Sequence, residues 1–359
     1  MRAVIRIFTA TLAGIMLAGT AGLVVAAASP TAGSRWRVAF VASTNFSAFT
    51  GIAALSARDV WAVGINQPPG PFADQTAIIR RWNGRSWKGV SLPATYKRAY
   101  LFTVAGSSPS NVWVLGQWRN GKGLDGHLFA LRWDGRRWSR IGWWVGYDQV
   151  TAAVVLSRTD VWMFASSPWH YNGHGWKMYK LPFGLFQASA ISANDVWAVG
   201  VDDASFAPVL ARWHDGRWVS EPVPSLGSRA SFADLVALTD RDIWIVGDTG
   251  SSTGPRALSL RRNGGRWTRY KVKFPVPFGT VADDGHGGLW AAFNGFGIAQ
   301  VAQLSGGAWH LVNLPRVTGK GTAVLELARV PKSRTVYAAG LLSFGGYPSS
   351  NALVMRYGP

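Results

Sequence analysis

Few residues in this chain could do chemistry. Glutamate occurs only as Glu221 in WVSEPVP and Glu326 in TAVLELARV, so carboxylate catalysis would have to recruit one of these or an aspartate. Glu221 falls at the end of an outer strand. Glu326 falls in an apolar run that reads as an inner strand lining a central channel. A lone carboxylate there is expected to be hydrogen-bonded or salt-bridged, because general acid-base catalysis needs a second positioned group. His170 and His174 flank a turn in WHYNGHGW, and a metal would need a third ligand that the sequence does not supply. Asp59, Asp160, Asp195 and Asp242 read as turn side chains bonding nearby backbone. There is no phosphate-binding loop or HExxH helix, and with no Cys there is neither a thiolate ligand nor a disulfide. No cofactor and no metal are expected.

The arrangement that suits recognition is a set of aromatic planes interleaved with cations. Tyr96, Lys97, Arg98 and Tyr100 stand together in ATYKRAY, Trp118 and Arg119 in QWRNGKG, and Trp143, Trp144 and Tyr147 in GWWVGYDQ. Such a set takes sugar rings, or stacked bases beside phosphate or carboxylate. Trp143 and Trp144 are the best candidates, because no other part of the repeat described next has that pair. In the competing reading, one of each adjacent aromatic pair packs under its own loop.

A repeat positions these side chains. DVWAVG occurs at Asp59 and Asp195, with NVWVLG at Asn111, DVWMFA at Asp160, DIWIVG at Asp242, GLWAAF at Gly288 and TVYAAG at Thr335. The aromatic residues Trp61, Trp113, Trp162, Trp197, Trp244, Trp290 and Tyr337 are separated by 52, 49, 35, 47, 46 and 47 residues. Six of these motifs are followed by a second one, such as RWNGRSW at Arg81 or RWDGRRW at Arg132, in which an Asn-Gly or Asp-Gly pair signals a tight hairpin. Each unit therefore reads as four short antiparallel strands. A sheet with aromatics on both faces cannot bury them alone, and a ring of seven can, which predicts a seven-bladed β-propeller. At roughly 150 to 250 Å² per Trp and about 25 cal/mol per Å², each contributes a gross ~4 to 6 kcal/mol as an upper bound.

The seventh unit stops at LVMRYGP, where its fourth strand should begin. Gly33-Ser34-Arg35-Trp36 matches the G-x-x-W of Gly84 to Trp87, so residues near Gly33 to Phe40 are expected to supply the missing strand and close the ring. Residues 29–359 then form one domain. Residues 1–28 have two Arg, an apolar run and Ala26-Ala27-Ala28, the layout of a cleaved signal peptide, with an uncleaved anchor as the alternative.

In blades of this kind the second-to-third-strand loops and the blade connections share one face, and the two short turns share the other. The loop face varies most, and the shortened ASSP loop of the third unit is expected to open a gap there. With 37 Lys and Arg against 18 Asp and Glu, net +19, an exported chain is drawn to polyanions such as wall polymers, acidic polysaccharide, lipid headgroups or DNA.

The strand ending in Gly, the strand ending in Trp-Asp or Trp-Asn and the Trp that follows resemble kelch-type and Asp-box propellers. The repeats are also similar to those of secreted, Arg- and Trp-rich bacterial propellers. The kelch Gly-Gly doublet is replaced by Val63-Gly64 or Val199-Gly200, and the Asp-box Ser-x-Asp lead-in is absent. The resemblance to the copper radical oxidases among kelch proteins implies a Tyr-Cys cross-link, which a chain without Cys cannot form. The expectation is a secreted, monomeric, non-enzymatic binding or scaffold module at the cell envelope. Its partner would be an anionic polysaccharide, wall polymer or protein, with nucleic acid a weaker reading. The alternative is a glycan lyase or hydrolase with its site on the loop face.

Overall fold

The computed structural model describes residues 35–44, 46–68, 75–119, 126–145, 149–227, 229–250, 254–293, 295, 300–317, 320–343 and 350–358. Residues 1–28, which the sequence leads one to expect as a signal peptide, and Tyr147 lie outside the described residues, as does the side chain of Arg119.

Seven four-stranded antiparallel sheets follow one another around a closed ring. Blade 1 runs Ser47–Gly89, blade 2 Ala99–Val145, blade 3 Ala152–Met178, blade 4 Phe183–Glu221, blade 5 Ala230–Arg269 and blade 6 Phe278–Asn313. Blade 7 takes three strands from Gly321–Tyr357 and its outer strand from Arg37–Val41, which pairs antiparallel with Ser350–Tyr357. The ring thus closes with both ends of the described chain in one sheet. Trp36 secures that closure, buried edge-on against Trp290 at 5.3 Å between ring centroids.

The repeated Trp residues are the inter-blade core. Trp61, Trp113, Trp162, Trp197 and Trp290 are fully buried, each contacting the blade beside it. The repeated Asp has a different role from the local turn bonding expected of it. It reaches the third strand, where Arg81 Nε lies 2.6 Å from Asp59 Oδ1 and the guanidinium covers Trp61 at 4.9 Å. Arg212 does the same with Asp195 and Trp197, and Arg261 with Asp242 and Trp244. In blade 3 His170 replaces the arginine, 2.8 Å from Asp160 and stacked on Trp162 at 4.3 Å. Cation, carboxylate and indole form one clasp because the cross-strand register sets Trp opposite Arg or His.

The Gly that ends the motif also has a physical cause. Opposite it, the inner strand carries a β-bulge, at Phe49/Gly51 in blade 1, Leu185/Gln187 in blade 4 and Phe232/Asp234 in blade 5. The bulge drives an inner-strand carbonyl onto the glycine, so a Cβ on Gly200 would run into the oxygen of Gly184. Blade 3 has Ala165 at that place and no bulge, whereas blade 6 carries a bulge at Phe278/Thr280 opposite Phe293.

The outer hairpins divide into two kinds. Blades 4, 5 and 6 have two-residue turns with both residues at positive φ, as at Asp215 (50°) and Gly216 (76°). Blades 1, 2 and 3 instead have a four-residue loop in which only the Gly is positive and the Asn or Asp side chain caps the backbone. Asn83 Oδ1, for example, accepts from the N–H groups of Arg85 and Ser86.

Candidate functional site

Blade 2 rises above its neighbours on the loop face, with an outer strand, Trp138–Val145, longer than that of any other blade. Tyr96 sits in a 3-10 turn, Ala94–Tyr96, buried against Phe129 at 4.9 Å and edge-on to Trp143 at 6.1 Å. Trp143 stacks on His127 at 4.6 Å with 20° between planes, and Trp118 lies against both. Arg140 covers Trp143 at 5.5 Å. Lys97 and Arg98 are exposed beside this aromatic wall, and Tyr100 is half-buried against Phe102.

The fold therefore brings Tyr96, Trp118 and Trp143 together with Lys97 and Arg98 close by, and it sets Trp144 apart. Strand alternation turns Trp144 to the other face of the blade, where it meets Trp169 and Trp176 of blade 3. Arg119 ends the second strand of blade 2. His127 is a member of the wall that the sequence did not single out; its signal is its pairing, across the strands, with Trp118 on one side and Val145 on the other. Next to the wall, a cleft of about 320 Å³ lies between the third strand of blade 1 and the segment Gly89–Leu92, with Lys97 at its lip. Val90, Leu92 and Tyr96 join the cleft and the wall in one hydrophobic cluster.

The second concave region is the central channel, about 240 Å³, lined by residues from all seven inner strands. Glu326 lines it, and the expectation of a lone carboxylate there is corrected, because Asp234 of blade 5 stands beside it. Asp234 is buried and accepts hydrogen bonds from the N–H groups of Leu235 and Val281, both 2.8 Å, and from the Thr280 hydroxyl at 3.0 Å. Burial pushes its carboxyl up to about 6. Burial and the neighbouring Asp234 charge push Glu326 well above the usual carboxylate range. The surface that Glu326 retains faces the channel. Thr280 interacts with both carboxyls, and the repulsion between them favours a proton on one over two bare charges. Asp283 also lines the channel and is engaged by Arg329 of blade 7.

Asp234 escaped detection because FADLVAL reads as an apolar run. Aligning the inner strands on their Trp partners would have shown Gln187, Asp234, Thr280 and Glu326 at one register, the residue after each bulge. Glu221 is structural, paired with Arg262 at 3.2 Å.

No protein-family model matches the sequence. No curated protein sequence matches it either. The fold is similar to several solved propellers. YCF48 bound to a D1 peptide superposes with a TM-score of 0.62 at 12% identity, covering 93% of this chain and 97% of that one. The WD40 propeller of Doa1 gives 0.59 at 11% identity over 90% and 97%. The GH74 enzyme of Niastella koreensis gives 0.59 at 13% identity over 88% of this chain, which spans 55% of the enzyme's length. At these identities the likeness is one of fold.

Proposed function

We propose that this chain is a secreted, non-enzymatic binding or scaffold propeller of kelch- and Asp-box-like repeat type, working at a bacterial cell envelope. The observation that carries this reading is the aromatic wall of Trp118, His127 and Trp143 beside the exposed Lys97 and Arg98. It offers flat apolar contact with charge at its edge, as recognition of an anionic glycopolymer or a protein segment requires. Two propellers of similar fold favour the protein segment, since YCF48 is described with a D1 peptide bound and Sqt1 of Chaetomium thermophilum with the N-terminus of L10.

The enzyme reading draws on one specific observation, the Asp234 and Glu326 pair. Against it, Asp234 is saturated with hydrogen bonds inside a channel of about 240 Å³, below the roughly 300 Å³ at which ligand pockets begin.

The test is binding of the chain from Ser29 to polyol-phosphate wall polymer, neutral polysaccharide and an acidic peptide library, at low and physiological salt. Trp143→Ala is expected to weaken the preferred ligand about tenfold, and Trp144→Ala to leave it within twofold, as expected for ~1 kcal/mol of stacking. Binding that ignores Trp143 and vanishes with salt would reject the wall as a recognition site.

A further inference from the structure

The face opposite the wall carries the two turns of each blade and a ring of guanidinium groups. In four blades the turn before the outer strand ends in Arg-Trp, at Arg35, Arg137, Arg217 and Arg266, and blade 1 places Arg85 two residues ahead of its Trp87; all five arginines are exposed. The turn after the inner strand adds Arg58, Arg158, Arg241 and Arg334, also exposed. Several are held spread out: the stem of Arg58 lies on Gly84, Arg158 reaches Ser110 of blade 2, and Arg334 reaches His286 of blade 6.

Among the described residues, carboxylates on this face pair with two of these nine arginines and leave most of the charge unmatched. Asp134 and Asp240 lie 3.6 and 4.0 Å from Arg137 and Arg241, Asp215 lies beside His214, and Asp284 turns inward to cap the N–H groups of His286 and Gly288. Blade 6 breaks the ring, its turns reading DDGHGG and SGGA.

The chemistry of the partner follows from three features. Guanidinium forks match phosphate oxygens in pairs, and this face is built from arginine with Lys332 as the exception among its described turns. The turn tryptophans are buried or half-buried against the neighbouring blade, as Trp138 is on Trp61 and Trp218 on Trp162, so among the described residues these turns offer no free indole plane to stack a base. The cations are spread over the turns of six of the seven blades, around a disc, which suits a planar array of phosphates better than a single polymer strand.

The chain also enters the propeller here, since the strand Arg37–Val41 begins opposite Arg356 at the turn end of blade 7. The apolar run that ends at Ala28 is separated from Arg35 by the six residues Ser29 to Ser34, a reach of at most about 25 Å. Where that run meets a membrane, this is the face the propeller presents to it.

We propose that the turn face is a docking surface for the phosphate headgroups of an anionic bilayer. It is independent of whatever the loop face binds. The test is co-sedimentation of the chain from Ser29, which holds every described strand, with vesicles of equal parts phosphatidylglycerol and phosphatidylcholine, and with phosphatidylcholine alone. Binding to the anionic vesicles alone is expected. The variant Arg85→Glu/Arg217→Glu/Arg266→Glu should bind about a hundredfold more weakly. The loop-face variant Arg229→Glu/Arg256→Glu/Arg316→Glu, with the same charge change, should stay within about fivefold of wild type. Matching thermal unfolding of both variants shows that the fold is intact. Equal losses in the two variants, or a wild type that binds inorganic polyphosphate and not the vesicles, would overturn the proposal.

Discussion

The central channel and the turn face handle charge in opposite ways. The chain has 18 acidic residues against 37 Lys and Arg, and still places Asp234 and Glu326 inside the channel, where the nearby cation Arg329 is already engaged with Asp283. The cations gather on exposed turns. Exposed charges are well solvated and cost little, so a repeat can carry one in nearly every blade. A buried carboxyl is costly unless hydrogen-bonded or protonated, so it occurs at a single register in two blades and depends on Thr280 between them. The repeated positions thus build the ring, and the departures from repetition mark what is particular to this chain.

That contrast breaks most visibly at the bulges that shape the channel. Gly200→Ala is expected to destabilise the protein by about 3 kcal/mol, because its Cβ meets the Gly184 carbonyl and the inner strand must shift to make room. Chemical denaturation checks this. Arg217→Glu on the turn face should shift stability by no more than about 0.5 kcal/mol in the same assay.

A smaller effect concerns the proton held in the channel. Glu326 in the folded chain is raised well above 4.5, so its contribution is fully present below that value and is lost as pH rises through the folded value. Asp234, raised to about 6, acts in the same direction. Wild-type stability should therefore fall from pH 5 to pH 8.5, and Glu326→Gln, which keeps the shape without the charge, should flatten that fall and gain about 2 kcal/mol at the alkaline end. Parallel pH profiles for the two proteins would exclude a raised Glu326 carboxyl.

The smallest expected change is a gain. In blade 2, Asn111 stands where blades 1, 3, 4 and 5 have Asp, accepting from Trp113 Nε1, and the buried Nε of Arg132 has no hydrogen-bond partner among the described residues. Asn111→Asp should supply the missing carboxylate and stabilise by about 1 kcal/mol near neutral pH, an increment that disappears in acid, as thermal unfolding at the two pH values would show.

The ring, the four-stranded blades and the closing strand were legible because Trp61 and its equivalents recur at intervals of 35 to 52 residues, and burial and backbone geometry constrain them. The aromatic wall was only partly legible. Adjacent letters such as Trp143 and Trp144 suggest one site, whereas strand alternation sends them to opposite faces. Asp234 was hidden for a different reason, since its partners Thr280 and Glu326 come from other blades and only the closed ring brings the three together. The cation ring was present in the letters Arg-Trp, but each copy looks like an ordinary solubilising turn until the propeller places them all on one side.

The most direct test of the division between the two faces measures two bindings on the same proteins. Anionic-vesicle binding and loop-face ligand binding would be measured for wild type, for the turn-face variant Arg85→Glu/Arg217→Glu/Arg266→Glu and for Trp143→Ala. The turn-face variant should lose the vesicles and keep the ligand, and Trp143→Ala should do the reverse. If the turn-face variant loses both in proportion to the charge removed and Trp143→Ala loses neither, the two faces have no separate roles and the net charge alone accounts for binding.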